Sequence, residues 1–259
     1  MTLPKSLNRS WSDLTKAERI ACKYLCETSH LYFTRLFFKE REGSHFRLGR
    51  HHRVMARAIE DVIAGDISRL IINVPPGYTK TEMAVISLVA RGLALNPKAR
   101  FIHASYSDRL VQDNSGRIKD CINLEAYQAM WPRRFRADAR AKGLWKTAEG
   151  GGLLAAAAGG SITGFRAGTM DRGFTGALII DDPVKPDDAR SVSARARVND
   201  RYHTTFRSRL AREDTPIIVI MQRLHVDDFC GFLLKGGAGE VWHHLMLPVE
   251  IDTGAGYPD

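Results

Sequence analysis

Apolar positions recur along this chain in two distinct ways, and the alternation between them predicts the architecture. In residues 53–64, Val54, Met55, Ala58, Ile59, Val62 and Ile63 fall on one helical stripe, and Gly65 supplies a stop. Residues 11–40 also read as helix, with Trp11, Leu14, Ile20, Tyr24 and Leu25 near helical spacing and Ser10 or Ser12 as the cap. Between helical stretches lie short, continuously apolar runs: RLIINV (69–74), ARFIHASY (99–106), ALIIDD (177–182), TPIIVIMQ (215–222) and VWHHLMLPV (241–249). Runs of that length without alternation suit strands buried on both faces. Helices are expected over 82–94, from a cap at Ser107 with Leu110, Val111, Ile118, Cys121 and Ile122 inside, and over 189–212 with Val198, Tyr202, Phe206 and Leu210 four apart. The glycine-rich stretch 143–176 predicts short strands or a hairpin joined by turns. Strands alternating with helices imply an α/β fold, a mainly parallel central sheet with helices on both faces.

The chain is 259 residues long, enough for one large α/β domain or two small ones. Charge changes the picture more than size does. Lys and Arg number 38 against 29 acids, a net charge of +9. That balance suits a polyanionic partner, nucleic acid or an acidic membrane surface. No run of about 18 apolar residues is present to span a bilayer, and the first residues lack the apolar core of a signal peptide. Cys22, Cys26, Cys121 and Cys230 have no second cysteine or histidine pair to complete a zinc site, so reduced structural cysteines are expected. His51–His52 and His243–His244 are read as structural, because adjacent side chains diverge.

Three segments carry candidate chemistry. The first, Val74-Pro75-Pro76-Gly77-Tyr78-Thr79-Lys80-Thr81, joins a strand to a helix. A bound triphosphate needs inward backbone N–H groups, a helix N-terminus, a lysine for the β- and γ-phosphates and a hydroxyl for Mg²⁺. Lys80 and Thr81 fit the last two roles, and Pro76, Gly77, Tyr78 and Thr79 form the loop. Val74 and Thr79 stand where the usual pattern has glycine, and read alone the segment also suits a proline-rich turn before a core helix. The second segment ends a buried strand in two carboxylates: Asp181 is assigned to Mg²⁺ and Asp182 to polarising the attacking water. Asp182-Pro183 is equally a good turn starter. Third, Gln222 follows the strand Ile218–Met221, where a polar tip can sense the γ-phosphate or simply cap the strand.

With these in place, the chain resembles the large terminase subunit of tailed bacteriophages from roughly residue 30 onward. The resemblance rests on RLIINVPPGYTKTE, FIHASYSDRL with Arg117, RGFTGALIIDDPVK and IIVIMQRLHVDDFCG, in the family's order. It implies a P-loop ATPase domain of the additional-strand type over 51–250, with 1–50 as a helical extension packed on it and 251–259 opening a linker to a nuclease domain. That nuclease domain is expected to be absent, and no DNA cleavage with it. The implied activity is ATP hydrolysis with Mg²⁺, driving double-stranded DNA into a procapsid in the host cytoplasm. The implied partners are a homo-oligomeric ring, the portal protein and the small terminase subunit, without a membrane. Position by position, Lys80 and Thr81 match the phosphate-loop residues, Asp181 the Mg²⁺ acid, Asp182 the catalytic acid and Gln222 the coupling segment. Arg172 looks like the arginine supplied across a subunit boundary, with Arg166 as the reserve.

Two other readings of the residues stay open. One is a metal-dependent nuclease using Asp181, Asp182, Asp187 and Asp188. The other is a DNA-binding or scaffold module without turnover, suggested by the missing loop glycine. The arginines on 190–212 suit either a polyanion or a solvated helix face, and the aromatic-basic run Trp131–Arg136 either touches nucleic acid or pins a loop.

Overall fold

A computed structural model describes residues 8–136, 143–160 and 162–248; the tail 251–259, read as a linker, lies outside them. Seven strands form one sheet: β1 (Arg69–Asn73), β2 (Arg100–Ser105), β3 (Leu144–Lys146), β4 (Gly152–Ala157), β5 (Leu178–Asp181), β6 (Ile217–Met221) and β7 (His243–Met246). Their spatial order is β3-β4-β2-β5-β6-β1-β7, and every neighbouring pair is parallel except β3 with β4. The continuous apolar runs are explained by burial on both faces. In β5, Ile179 joins one core while Leu178 and Ile180 join the other; in β6, Ile218 and Ile220 oppose Ile217, Val219 and Met221. The glycine-rich stretch supplies the antiparallel β3–β4 pair, as expected.

One face is covered by α1 (Lys16–Thr28), α2 (His30–Glu42), α3 (Arg50–Ala64), α4 (Leu88–Leu95), α5 (Asp108–Asn123) and α6 (Glu125–Met130). The other packs against α7 (Val192–Arg201) and α8 (Phe229–Leu234). The expected long helix at 189–212 starts at Val192, because the Ser191 side chain accepts from the Ala194 N–H. It then continues as a π-helical turn, Tyr202–Phe206, whose two aromatic ends are fully buried.

The N-terminal helix departs from expectation. It is broken into α1 and α2 at Ser29, whose extended backbone caps α2 through Tyr32 N. The α1 cap is Thr15, not Ser10 or Ser12, because only Thr15 has Glu18 three residues on to close a reciprocal capping box. Ile20 and Tyr24, expected inside, are 63% and 65% exposed, since α1 buries the Cys22 and Cys26 edge instead. Leu110 on α5 likewise points outward, at 42% exposure, while Val111, Ile118, Cys121 and Ile122 are buried. All four cysteines are buried free thiols.

One ion-pair network ties three elements together. Glu82 Oε2 accepts from Arg41 Nη2 of α2 at 2.7 Å and from Arg117 Nη2 of α5 at 2.9 Å. Glu82 opens a π-helical segment, Glu82–Ser87, that leads into α4. Removing the carboxylate leaves the buried Arg41 guanidinium with only the more exposed Glu42 beside it. Glu82→Ala should therefore lower the stability to urea by roughly 3 kcal/mol, the low end for breaking a buried pair. A loss under about 1 kcal/mol would contradict the network's role, since surface pairs contribute no more than that.

Candidate active site

The site is built where β1, β5 and β6 end. The three strands run parallel and adjacent in the order β5-β6-β1, with Asp181 opposite Ile220 and Asn73 opposite Met221. Their carboxyl ends therefore lie level, and residues 74–81, 181–182 and 222 emerge side by side. Such strand ends are the usual place for ligands in parallel α/β sheets.

The loop after β1 turns at Gly77, φ 81°, and again at Thr79, φ 54°. Both angles are left-handed, a region that glycine occupies freely and a β-branched residue does not. Thr79 thus holds a conformation that glycine adopts freely, at a strain of roughly 1–3 kcal/mol. The Thr79 carbonyl accepts from Met83 N at 3.2 Å, so the helix begins with Lys80 directly after the strained residue.

Lys80 Nζ, nearly buried, lies 2.8 Å from Asp182 Oδ2 and 2.9 Å from Asp182 Oδ1. Thr81 Oγ1 donates to Asp181 Oδ2 at 2.9 Å. The Gln222 backbone N–H donates to Asp182 Oδ1 at 3.3 Å, which puts β6 in contact with the second acid. Asp182 is also left-handed, φ 42°, with its N–H on the Ile220 carbonyl and its carbonyl accepting from Tyr106 N. Main-chain bonds to both neighbouring strands over-determine it, so the strain is held. The sequence-predicted Lys80, Thr81, Asp181, Asp182 and Gln222 are thus brought together, with Pro76, Gly77, Tyr78 and Thr79 forming the loop above them.

Electrostatics separate the two acids. Burial first, and then the adjacent Asp182, push the Asp181 carboxyl up to about 7, against the pull of Lys80 and the Thr81 hydroxyl. Its Oδ1 is buried without a hydrogen-bond partner. His103 Nε2 stands 4.0 Å from Asp181 Oδ2, but burial holds this imidazole neutral, pushed down to about 3. The contact is therefore no ion pair, and the basic side chain paired with the acids is Lys80. Hard oxygen donors at Thr81 and Asp181, one of them unsatisfied, form a donor set suited to Mg²⁺.

Arg172 and Arg166 are not part of this cluster. Gly168 N donates to the Arg100 carbonyl and Arg100 N to the Thr175 carbonyl, both at 2.9 Å. The segment holding Arg172 is thereby fixed beside the first residue of β2, at the amino edge of the sheet. A six-residue strand separates that edge from the acids, roughly 17 Å at 3.3 Å per residue. An arginine held there does not reach the acids of its own chain.

Other candidates resolve individually. Asp187 pairs with Lys185 in a surface turn, and among the described residues no group of three or more His, Cys, Asp or Glu could hold a metal. Trp131 is buried with its indole N–H on Glu27, and Arg133 donates to the Leu93 and Ala94 carbonyls, so this run pins a loop to the end of α4. His244 Nε2 meets Asn73 Oδ1 at 2.8 Å, a structural role as read. Sequence reasoning missed His103 and the part played by His52, which contacts Thr79. His103 sits in an otherwise apolar run, the one signal that could have marked it.

No family model matches the chain, and no curated protein matches it in sequence. In fold the chain is similar to the large terminase of bacteriophage HK97. The two superpose with a TM-score of 0.56 over 88% of this chain, at 16% sequence identity. This chain spans 45% of that protein's length.

The raised Asp181 carboxyl gives a pH prediction for the metal-free protein. Its folded-state value lies above the ordinary 3.8, so the folded protein holds a proton that the unfolded chain has lost. Stability from this group is fully present below about pH 4 and falls as pH rises towards about 7. Asp181→Asn removes that loss. The gap between variant and wild-type urea midpoints should widen from pH 4 to pH 7 in the variant's favour, then level off. Parallel curves would show that the carboxyl is not perturbed in this way.

Proposed function

We propose that this chain is an ATP-hydrolysing motor of a terminase-type DNA-packaging enzyme. The observation that carries the reading is the convergence of Lys80, Thr81, Asp181 and Asp182 at the ends of β1 and β5, with β6 between them. An acidic strand separated by one strand from the loop strand suits a P-loop ATPase of the additional-strand type. The likeness in fold to a large terminase supports the same reading, as does the net charge of +9.

Each residue then has a task that its position can perform. The main-chain N–H groups of Gly77, Tyr78 and Thr79, which follow Pro76, cradle phosphate oxygens at the helix N-terminus. Lys80 exchanges part of its contact with Asp182 for the β- and γ-phosphates. Thr81 Oγ1 and the Asp181 carboxylate would hold Mg²⁺ at the strand end. Bound Mg²⁺ supplies positive charge against which the phosphates develop negative charge. Asp182, partly released by Lys80, accepts a hydrogen bond from the attacking water and orients it. Gln222, attached to Asp182 through its main chain, is placed to relay loss of the γ-phosphate into β6. Arg172, offered from a neighbouring subunit in a ring, stabilises the transferring phosphoryl group. The substrate of the motor is double-stranded DNA, moved at the procapsid portal in the host cytoplasm alongside the portal protein and the small subunit.

Phosphate release with and without DNA tests this directly. Lys80→Ala should lower kcat/KM for ATP by at least about 100-fold, as expected for losing a charge aimed at the transition state. Equal rates in wild type and Lys80→Ala, or none in either with DNA present, would contradict the motor. The trans role of Arg172 adds a second outcome. Lys80→Ala and Arg172→Ala proteins, each inactive alone, should recover activity when mixed, because mixed rings contain intact boundary sites. No recovery would remove Arg172 from the chemistry.

A further inference from the structure

The loop contains a residue that should not hold its own conformation. Thr79 is β-branched and left-handed, and it is the last residue before the helix that carries Lys80 and Thr81. A strained residue of this kind persists only when its surroundings fix it. Among the described residues, the side chain bonded to it is His52 of α3, whose Nε2 lies 2.6 Å from Thr79 Oγ1. The direction of that bond can be assigned. The Gly49 N–H donates to His52 Nδ1 at 2.8 Å, so Nδ1 is the acceptor nitrogen. A neutral imidazole then carries its proton on Nε2, and Nε2–H donates to the threonine hydroxyl. His52 is 3% exposed, and its ring is walled by Phe46, with centroids 4.7 Å apart, and by His51 at 3.8 Å. Burial and the neighbouring His51, opposed by the Tyr78 main chain, lower the His52 value to about 4, which keeps the imidazole neutral.

We infer that His52 is a positioning residue: through Gly49 N–H···Nδ1 and Nε2–H···Oγ1 it clamps Thr79 in the left-handed turn that a glycine would otherwise supply. The clamp aims the following helix, so that Lys80 and Thr81 meet Asp182 and Asp181. It explains how a loop without its second glycine keeps the geometry of one that has it. The consequence for ligand binding rests on the reading of residues 74–81 as a phosphate cradle; the consequence for loop conformation does not.

A double-mutant cycle between His52→Ala and Thr79→Gly separates the two. Glycine adopts φ 54° without help, so it should make the clamp unnecessary. Binding of Mg²⁺ with a non-hydrolysable ATP analogue is measured by calorimetry on the full chain, alongside the urea midpoint. In the threonine background His52→Ala should weaken analogue binding about tenfold, the size of a strain of this kind. In the Thr79→Gly background the same change should cost less than about threefold, because there is no strained side chain left to hold. A simple packing role for His52 would be lost equally in both backgrounds, and that result overturns the clamp. Should wild type not bind the analogue at all, the phosphate-cradle reading fails, and the urea cycle decides the clamp alone. A midpoint lowered by His52→Ala and recovered by Thr79→Gly supports it, and additive losses overturn it.

Discussion

The structure depends on two contacts that cross three strands: Lys80 with Asp182, and Thr81 with Asp181. Both bring a residue at the start of one helix against a residue at the end of a strand about a hundred positions later. They form only if β1, β5 and β6 end at one level, and that is a property of parallel register rather than of any local preference. The two-sided burial of those strands enforces the register. A slip of one residue would exchange Ile179 with its neighbours between the two cores and carry the acids to the wrong face.

The cost of this arrangement is concentrated beside the acids. Thr79 and Asp182 are the non-glycine left-handed residues among those described; one directly precedes Lys80 and the other is its ion-pair partner. Asp181 is buried with an unsatisfied oxygen and keeps a proton that a carboxylate ordinarily loses. Each is held in place by its surroundings: main-chain bonds around Asp182, the Arg41–Glu82–Arg117 network behind the loop helix, His52 above Thr79. Strain retained at one cluster, within an otherwise well-packed sheet, is the pattern expected of a site whose function outweighs its stability.

Much of this was legible in the residues. Strands buried on both faces write themselves as unbroken apolar runs, so β1, β2, β5 and β6 could be placed, and acids at the end of one such run could be paired with a loop at the end of another. What could not be read was non-local. Strand order depends on pairings far apart in the chain, and nothing in ALIIDD says that TPIIVIMQ will lie between it and RLIINV. The break at Ser29 was hidden because the residues on both sides keep helical spacing, and only the reciprocal Thr15–Glu18 cap locates the true start of α1. Arg172 stands nine positions before Asp181, which suggests closeness, yet the intervening strand carries it to the opposite edge. His52 looked like one of two adjacent structural histidines; its partner is 27 positions away and is recognisable only as a threonine in a glycine's place.

The central claim is that the amine of Lys80 and the oxygens of Thr81 and Asp181 serve one metal-bound triphosphate. A crystal structure grown with Mn²⁺ and a non-hydrolysable ATP analogue tests it most directly, because the anomalous signal of manganese locates the metal independently of any interpretation of the ligand. An anomalous peak is expected within coordination distance of Thr81 Oγ1 and close to Asp181, with Lys80 Nζ turned from Asp182 onto the terminal phosphates. Manganese and nucleotide bound elsewhere, with the Lys80–Asp182 contact unchanged at the ends of β1 and β5, would contradict it.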